Sequence, residues 1–482
     1  MSRFAVGEVR KAIRSSHSSS MGISCKAALV LGLSSFLAAC GADSDSSEKH
    51  SCSVEEQTGC DSGTVCETVQ GATPACFAPL LVRGRVLESA APDTGIANAI
   101  VVARDINGAL ISRGTATTAA DGSYELAIPA PRDASGHPLA PEATLRADAA
   151  GHATFPGGLR VALPLAGDAP TQMAGKWVIE NDSTDVALDR LPETTGLATI
   201  RGSIDAANPG GTLAVAGSAS GVASSDGSFT IFNVPVGTTE VRGYRAGLDL
   251  SSAAVELADG ATLSNVVLSE SSGSMASVSG DVSFVNAGTQ QTSVVLVVAS
   301  TFNAALARGE TPVGLRQFPV SGGYRFEHVP AGEYVVLAAF ENDGLVRDPD
   351  TSIGGTAIQR LTVGSETVSV AGFKITGALA VRSPGANGAE VVAGTPQFSW
   401  ADDSSEDGYE LTVYDNFGKV VQHSDVPRVT GASDVSASYS GPALSAGYYQ
   451  FRAVSYRMGK GATGTRTYIS ATEDLKGVFI IE

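Results

Sequence analysis

The stretch Asp226-Gly-Ser-Phe-Thr-Ile-Phe-Asn-Val-Pro235 occurs in three related forms along this chain. The other two are Asp121-Gly-Ser-Tyr-Glu-Leu-Ala-Ile-Pro129 and Ser321-Gly-Gly-Tyr-Arg-Phe-Glu-His-Val-Pro330. Asp-Gly and Gly-Gly tolerate the positive φ of a tight hairpin turn, and the alternation after them points every second side chain into a core. Proline then ends the strand because it cannot donate a hydrogen bond to the sheet. Each stretch therefore predicts a hairpin followed by a half-buried strand.

A second motif, apolar-x-Gly-x-apolar, precedes each of these turns, as Val82-Arg-Gly-Arg-Val86, Ile200-Arg-Gly-Ser-Ile204 and Val278-Ser-Gly-Asp-Val282. The turn glycines recur at 122, 227 and 323, and a spacing of about 100 residues indicates a repeat of whole domains. We predict domains at 80–195, 196–273 and 274–379. The second copy has 25 residues between its two motif glycines against 38 and 43 in the others, so we expect it to lack a strand or a long loop.

In this order the motifs resemble the carboxypeptidase regulatory-like, or transthyretin-like, domain, which implies a β-sandwich for each copy. The name of that family does not bring peptidase activity with it. The zinc carboxypeptidases beside which the domain is found need an H-x-x-E pair and a distant histidine. None of the six histidines here is followed by glutamate three residues later, so we expect no such site.

The last segment, 380–482, has a different pattern. It contains Pro396-Gln-Phe-Ser-Trp400, then Tyr409-Glu-Leu-Thr-Val413, then Leu444-Ser-Ala-Gly-Tyr-Tyr449 before an alternating strand. This succession resembles a fibronectin type III domain. The resemblance implies that Trp400 lies in the core and that the Tyr449 hydroxyl bonds to backbone at a corner. We therefore predict an all-β fold: tandem sandwiches in a row, transthyretin-like and then immunoglobulin-like, after a small disulfide-rich module.

That module, 52–79, contains Cys52, Cys60, Cys66 and Cys76. An even number of cysteines in so short a segment outside the cytoplasm indicates two disulfides, because the segment cannot bury enough apolar surface to fold alone. Three pairings are possible. A zinc site is the alternative, although the spacings contain no C-x2–4-C pair.

The segment Leu37-Ala-Ala-Cys40 decides where we expect the protein to reside. Ahead of it, residues 27–39 form an apolar run that is too short to span a bilayer and is typical of an export signal. Residues 1–39 are the predicted signal peptide, with Met21 as an alternative start, and 40–51 the tether. The segment resembles the lipobox of bacterial lipoproteins, which implies that Cys40 is acylated after cleavage and anchors the chain to the membrane. A plain cleaved signal with a chance cysteine is the alternative.

Localisation and partners follow from the anchor and from the charge. In bacteria that sort lipoproteins by the residue after the cysteine, Gly41 favours the outer membrane, so we expect an exported, lipid-anchored protein of the cell envelope. The net charge of −18 repels phosphate backbones and makes nucleic acid an unsuitable partner. No G-x-S-x-G, H-E-x-x-H or P-loop motif is present, and we expect no catalytic residue, cofactor or metal.

The expected role is non-enzymatic: strand-linking loops would present a surface to a protein or a polysaccharide. The longest candidate loops are 129–141 and 341–357. The alternative is a carbohydrate-binding adhesin or an accessory subunit of an envelope complex, with Trp177 as a stacking platform. A place for Trp177 on the core face of a last strand, 176–180, is the simpler interpretation. Asn181-Asp-Ser-Thr-Asp185 is acidic like a calcium loop but lacks the glycine and glutamate of an EF-hand, which favours a solvated turn.

Overall fold

The computed structural model describes residues 52–54, 57–105, 108–111, 114–156, 163–165, 170–285, 292–303, 308–340, 358–376, 378–459, 466–473 and 475–482. The predicted signal peptide, Cys40 and the tether lie outside these residues. Residues His50–Glu482 form one compact unit. Its described part consists of β-strands and two short 3-10 helices, Asp182–Thr184 and Ala299–Thr301, and none of its helices could cross a membrane. The prediction of an all-β fold of tandem sandwiches is confirmed.

The cysteine-rich segment is a single antiparallel hairpin of β1 (Val65–Val69) and β2 (Ala72–Phe77). Disulfides join Cys52 to Cys66 and Cys60 to Cys76, which selects one of the three possible pairings. The sulfur atoms of Cys52, Cys60 and Cys76 lie within 4.8 Å of one another. Because all three are oxidised, they cannot supply the thiolates that zinc requires, and the zinc alternative does not fit this structure.

The first sandwich contains β3 (Leu80–Glu88), β4 (Ala91–Gly95), β5 (Ile100–Asp105), β6 (Ala116–Thr117), β7 (Ser123–Ile128), β8 (Ala143–Asp148), β9 (Thr171–Met173), β10 (Lys176–Ile179) and β11 (Val186–Leu188). Strand β3 organises the larger sheet, pairing antiparallel with β4 and β7 and parallel with β10 and β11. The second sheet has the order β6-β5-β8. The predicted inward residues Tyr124, Leu126 and Ile128 are all buried in the core.

The second sandwich contains β12 (Leu197–Asp205), β13 (Leu213–Ala216), β14 (Ala219–Val222), β15 (Ser228–Pro235), β16 (Gly237–Tyr244), β17 (Ala253–Leu257) and β18 (Thr262–Ser269). The third contains β19 (Ala276–Val285), β20 (Thr292–Val298), β21 (Arg316–Val320), β22 (Gly323–Val329), β23 (Gly332–Phe340), β24 (Gln359–Val363), β25 (Val368–Ser369) and β26 (Phe373–Thr376). Their sheets have matching orders, β15-β12-β18 with β14-β13-β16-β17, and β22-β19-β25 with β21-β20-β23-β24.

This match shows why the second copy is short. Each of its strands has a counterpart in the third sandwich, so the missing element is a loop and not a strand. Residues 217–218 connect β13 to β14, whereas residues 299–315 connect the corresponding strands β20 and β21.

The fourth sandwich contains β27 (Val381–Ser383), β28 (Glu390–Val391), β29 (Gln397–Ala401), β30 (Gly408–Asp415), β31 (Val420–Pro427), β32 (Asp434–Ser438), β33 (Gly447–Met458), β34 (Arg466–Ala471) and β35 (Val478–Ile481). One sheet has the order β27-β29-β32. The other has the order β28-β35-β33-β30-β31, with β34 also paired to β33. Trp400 is fully buried between them, and the Tyr449 hydroxyl donates to the Ser445 carbonyl oxygen at 3.0 Å, both as the sequence implied.

The two repeated motifs form one structural feature. In the three copies the motif glycine of the opening strand pairs directly with the aromatic residue after the turn, as Gly84 with Tyr124, Gly202 with Phe229 and Gly280 with Tyr324. A Cβ on Gly202 would lie 2.4 Å from Phe229 Cζ, and one on Gly280 would lie 2.5 Å from Tyr324 Oη. In the second and third copies the missing side chain of the glycine therefore leaves room for the aromatic ring, whereas in the first copy a Cβ on Gly84 would lie 2.2 Å from the Thr184 carbonyl oxygen.

The first and second sandwiches have apolar cores of their own, and the core of the third also contains residues of the other two. Alternation along β13 sends Ala214 and Ala216 into the second sandwich's own core. It sends Leu213 and Val215 outward into a cluster with residues of the third sandwich and with Val102 and Leu110 of the first. The rings of Tyr244 and Tyr334, from the second and third sandwiches, meet edge to face with centroids 5.9 Å apart. Strand β13 is thus buried on both faces.

Candidate functional site

The predicted binding loop 129–141 contacts the cysteine-rich hairpin through the buried side chain of Arg132. Arg132 is buried and forms an ion pair with the buried Glu67 of the cysteine-rich hairpin. Arg132 also donates to the Ala78 carbonyl oxygen at 2.8 Å, and the Ala130 amide donates to Glu67 at 2.8 Å. Burial raises the pKa of Glu67, and these hydrogen bonds oppose the rise. Through Arg132 the loop therefore fastens the hairpin to the first sandwich, while Ala134, Ser135 and His137 are exposed, so a binding role for the loop stays a prediction. The other loop, 341–357, lies outside the described residues.

Trp177 packs against the core of the first sandwich, as expected, but the strand that carries it is not the last one. Strand β10 ends at Ile179 and is followed by β11, so it is not the last strand of the first sandwich. Val178 and Ile179 are buried, while Trp177 is half-buried at the edge of the core. Its ring meets His137 of loop 129–141 edge to face, at 5.4 Å between centroids. The contacts with the core and with His137 indicate a packing role for Trp177.

The acidic segment Asn181–Asp185 is a capped and partly buried turn. The Asn181 side chain accepts from the Ser183 amide at 2.9 Å, which caps the helix Asp182–Thr184. The Thr184 carbonyl oxygen accepts from the Tyr124 hydroxyl at 2.6 Å, and Thr184 is fully buried. The expected solvated turn is therefore wrong for Ser183 and Thr184. The Asp185 carboxylate accepts from the Arg85 amide at 2.7 Å, so this group serves the fold as well.

A buried group of charged side chains joins the sandwiches. Glu310, in the loop 299–315 of the third sandwich, pairs with Arg104 and Arg146 of the first, the latter at 3.5 Å. Arg146 also pairs with Asp148 at 3.0 Å and donates to the Ser220 carbonyl oxygen of the second sandwich at 3.1 Å. Burial opposes ionisation of Glu310, but the two guanidinium groups outweigh it and hold its pKa below the usual value. We call this group the Glu310 cluster. The charged groups of this cluster form ion pairs with one another, across the contact between the first and third sandwiches, so the cluster is a junction between domains.

The best candidate for an external binding site is the solvent side of β31, β30, β33 and β34 in the fourth sandwich. Tyr409, Leu411 and Val413 of β30 point into the core and are fully buried. The alternation therefore directs Glu410 and Thr412 outward, opposite Asp425 and His423 of β31 in the antiparallel register. We call this surface the Tyr468 face. Its residues are Glu410, Thr412, His423, Asp425, Arg466 and Tyr468.

Arg466 is fixed at the centre of the Tyr468 face. Its guanidinium pairs with Glu410 and donates to both carboxylate oxygens of Asp425, at 2.7 and 2.8 Å. It also lies over the ring of Tyr456, 4.3 Å from the centroid. Gly408 gives that ring its room, because a Cβ there would lie 2.7 Å from Tyr456 Oη. The hydrogen bond from Arg466 lowers the pKa of Asp425, so this carboxylate is ionised at neutral pH.

Tyr468 is the exposed aromatic residue of this face, with 52% of its surface accessible. Its hydroxyl lies 3.1 Å from each carboxylate oxygen of Glu410 and donates to this group. Partial burial and then the Glu410 charge raise the pKa of Tyr468, which keeps the hydroxyl protonated. The His423 ring nitrogen Nδ1 lies 3.0 Å from Thr412 Oγ1 beside it. A rigid ring therefore stands among hydrogen-bonding groups that are already oriented.

Sequence reasoning assigned β30 as a strand but did not identify this face. The alternation of Tyr409-Glu-Leu-Thr-Val413 does place Glu410 and Thr412 on one side. The partners that give the side its chemistry, Asp425 and Arg466, lie on strands whose pairing the pattern does not specify. The Arg-x-Tyr spacing at 466–468 was the one local signal.

By sequence, no known protein family matches the chain, and neither does any curated protein. Several solved structures are similar to parts of it. The Bacillus anthracis TIE protein is 11% identical with a TM-score of 0.14, and the match covers 64% of this chain and 53% of that one. The chain thus spans about half of that protein's length.

Two further structures are matched along almost all of their own length. A putative carbohydrate binding protein from Bacteroides uniformis is 15% identical with a TM-score of 0.19, and the match covers 42% of this chain and 98% of that one. The Streptococcal ancillary pilin is 11% identical with a TM-score of 0.15, and the match covers 60% of this chain and 98% of that one.

Proposed function

We propose that this chain is a non-enzymatic, lipid-anchored protein of the cell envelope whose joined β-sandwiches present the Tyr468 face to an envelope protein or polysaccharide. In this proposal the three repeats are carboxypeptidase regulatory-like domains and the last sandwich is a fibronectin type III-like domain. Cys40 carries the lipid, and Gly41 directs the protein to the outer membrane.

Export is supported by the cysteine chemistry. Two disulfides within residues 52–76 persist only in an oxidising compartment, and they follow a stretch with the features of a secretory signal. A single acyl chain gives only marginal membrane binding, whereas the several chains of a lipoprotein give stable attachment. The strongly acidic chain would not bind anionic headgroups by itself, so attachment would depend on the lipid.

The proposal for binding depends mainly on one observation: the pinned and exposed ring of Tyr468. Exposed aromatic residues with an oriented polar end are the residue type that most often anchors an interface. The sandwich behind it is held to the rest of the chain, because its Tyr448 and Val478 pack against Leu163 of the first sandwich. Binding would then cost little conformational entropy.

The lipid anchor is tested by acyl labelling in the native bacterium. Wild type is expected to incorporate labelled fatty acid and to sediment with membranes, whereas Cys40→Ala should lose both. Ser44→Ala, four residues further along the tether, is the matched control and should behave as wild type. A Cys40→Ala chain that retains label and membrane association would contradict the anchor.

The binding face is tested by capture of components from the native envelope. We expect Tyr468→Ala to lose a component that wild type retains. Phe318→Ala is the matched control, since Phe318 is an exposed aromatic residue of the third sandwich with an arginine beside its ring. Equal capture by all three proteins would place the partner elsewhere and refute this site.

A further inference from the structure

We propose that the occupant of the Tyr468 face is a neutral polysaccharide, with a sugar ring stacked on Tyr468 and its hydroxyls donating to Asp425 and Glu410. This inference rests on the proposed function, of which it specifies the ligand. Three properties of the face carry it: the state of the ring, the balance of its charges and its shape.

The ring of Tyr468 is ready to stack. Half of its surface is exposed, and the hydrogen bond to Glu410 fixes its orientation before any ligand arrives. A fixed ring loses little rotamer entropy on binding and offers a flat apolar surface to the C–H groups of a sugar. The Asp425 carboxylate beside it stays available to a sugar hydroxyl, because its side chain is 56% exposed and Arg466 uses only two of its roughly four acceptor positions.

The balance of charge favours a neutral ligand. Arg466 is shared between Glu410 and Asp425, so these three groups together carry a single negative charge. Arg452 of β33, buried opposite Thr412, adds one positive charge to this side of the sheet, which is therefore close to neutral, and the −18 of the whole chain disfavours an anionic polymer. A basic peptide would have to compete with Arg466, which already donates to both oxygens of Asp425. Hydroxyl groups can instead use the spare lone pairs without displacing a paired cation.

The shape of the face suits an extended chain. Strands β31, β30, β33 and β34 lie side by side, and four strands span about 14 Å between the outer two. Thr412 and His423 continue the row of hydrogen-bonding groups beside Asp425 along β30 and β31. A polymer of repeating hydroxylated rings could therefore contact Tyr468 and these groups at the same time.

Calorimetric titration of the full-length protein in detergent tests this inference. The probes are dextran, xylan, galactomannan and a mixed-linkage glucan, with polygalacturonate and poly-lysine as the charged comparisons. We expect at least one neutral polysaccharide to bind. Tyr468→Ala should weaken that binding at least ten-fold. Tyr468→Phe keeps the ring and should lose only a few-fold, while the control Phe318→Ala should bind as wild type. An unchanged melting temperature in each variant excludes misfolding as the cause.

Three outcomes would overturn the inference: no neutral polysaccharide binds, Tyr468→Ala binds as well as wild type, or poly-lysine is the ligand that depends on Tyr468. Envelope capture separates this failure from that of the proposed function. If capture still depends on Tyr468 while no polysaccharide of the panel binds, the ligand class is wrong and the face remains a binding site. If neither depends on Tyr468, both proposals fail.

Discussion

Glu310→Gln is the most direct test of the idea that the repeats form one unit. The substitution keeps the shape of the side chain but removes its charge from between Arg104 and Arg146, which would then face each other with less compensation. The Glu310 side chain is 13% exposed and that of Arg146 is 2% exposed, so solvent screens the pair weakly. Removing one partner of a buried ion pair costs about 3–5 kcal/mol in the free energy of unfolding.

This cost can be converted into a melting temperature. The entropy of unfolding is about 2.1 cal/mol/K per residue, and the three sandwiches contain about 300 residues, which gives about 0.6 kcal/mol/K. A loss of about 3–5 kcal/mol should therefore lower the melting temperature of the unit by about 5–8 °C. If the sandwiches unfold together, a single calorimetric transition should move by this amount.

Differential scanning calorimetry at pH 7 is the measurement, with Glu327→Gln as the matched control. Glu327 is a glutamate of the same sandwich that also pairs with an arginine, but there both side chains are about half exposed. Exposed pairs contribute about 0–1 kcal/mol, so the control should shift the melting temperature by less than about 2 °C. A Glu310→Gln shift no larger than the control's would refute the claim that this cluster joins the domains.

Two further substitutions test the pH dependence of the Glu310 cluster and the packing of a motif glycine. The charges of Arg104 and Arg146 hold the pKa of Glu310 below its usual value, so its stabilisation is complete above about pH 4.3 and is lost as the pH falls through the lower folded value. Denaturant unfolding of wild type and Glu310→Gln from pH 7 to pH 3 should thus show a difference that shrinks below about pH 4.3, and a constant difference would contradict this. For the motif glycines, Gly202→Ala places a Cβ 2.3 Å from the Val266 carbonyl oxygen and 2.4 Å from Phe229 Cζ. It should cost at least about 1–3 kcal/mol by denaturant unfolding, whereas Gly364→Ala, with no atom within 4 Å, should be near neutral.

Local patterns in the sequence predicted the elements that depend on local chemistry. The turn before Phe229 and the alternation after it need only the residues present there, and the core position of Trp400 follows from the strand that carries it. The Tyr449 corner is also local, because its donor and acceptor are four residues apart. Such features could be predicted because the residues that make them are close in the chain.

The contacts that were missed join residues that are far apart in the chain. Arg104 and Glu310 are separated by 206 positions, Glu67 and Arg132 by 65, and Arg466 and Glu410 by 56. A charged residue is normally expected in solvent, and nothing next to Glu310 in the sequence indicates a buried partner. For the same reason the sequence did not show that loop 129–141 contacts the hairpin, since its Arg132 can be recognised as buried only once Glu67 is placed against it.

The loop 299–315 is both a difference in length between two repeats and a contact between domains. In the sequence it appeared only as the extra length that the second copy lacks, and a difference in loop length costs little by itself. In the structure it carries Glu310 to Arg104 and Arg146, and Thr311 of the same insertion forms a bridge with Ala109 of the first sandwich. The second copy contributes to the junction through the outer face of its sheet instead, with Leu213 and Val215 in the shared core. The repeats therefore differ where they meet. The long loop of the third repeat binds the first because its Glu310 carboxylate compensates the buried charges of Arg104 and Arg146.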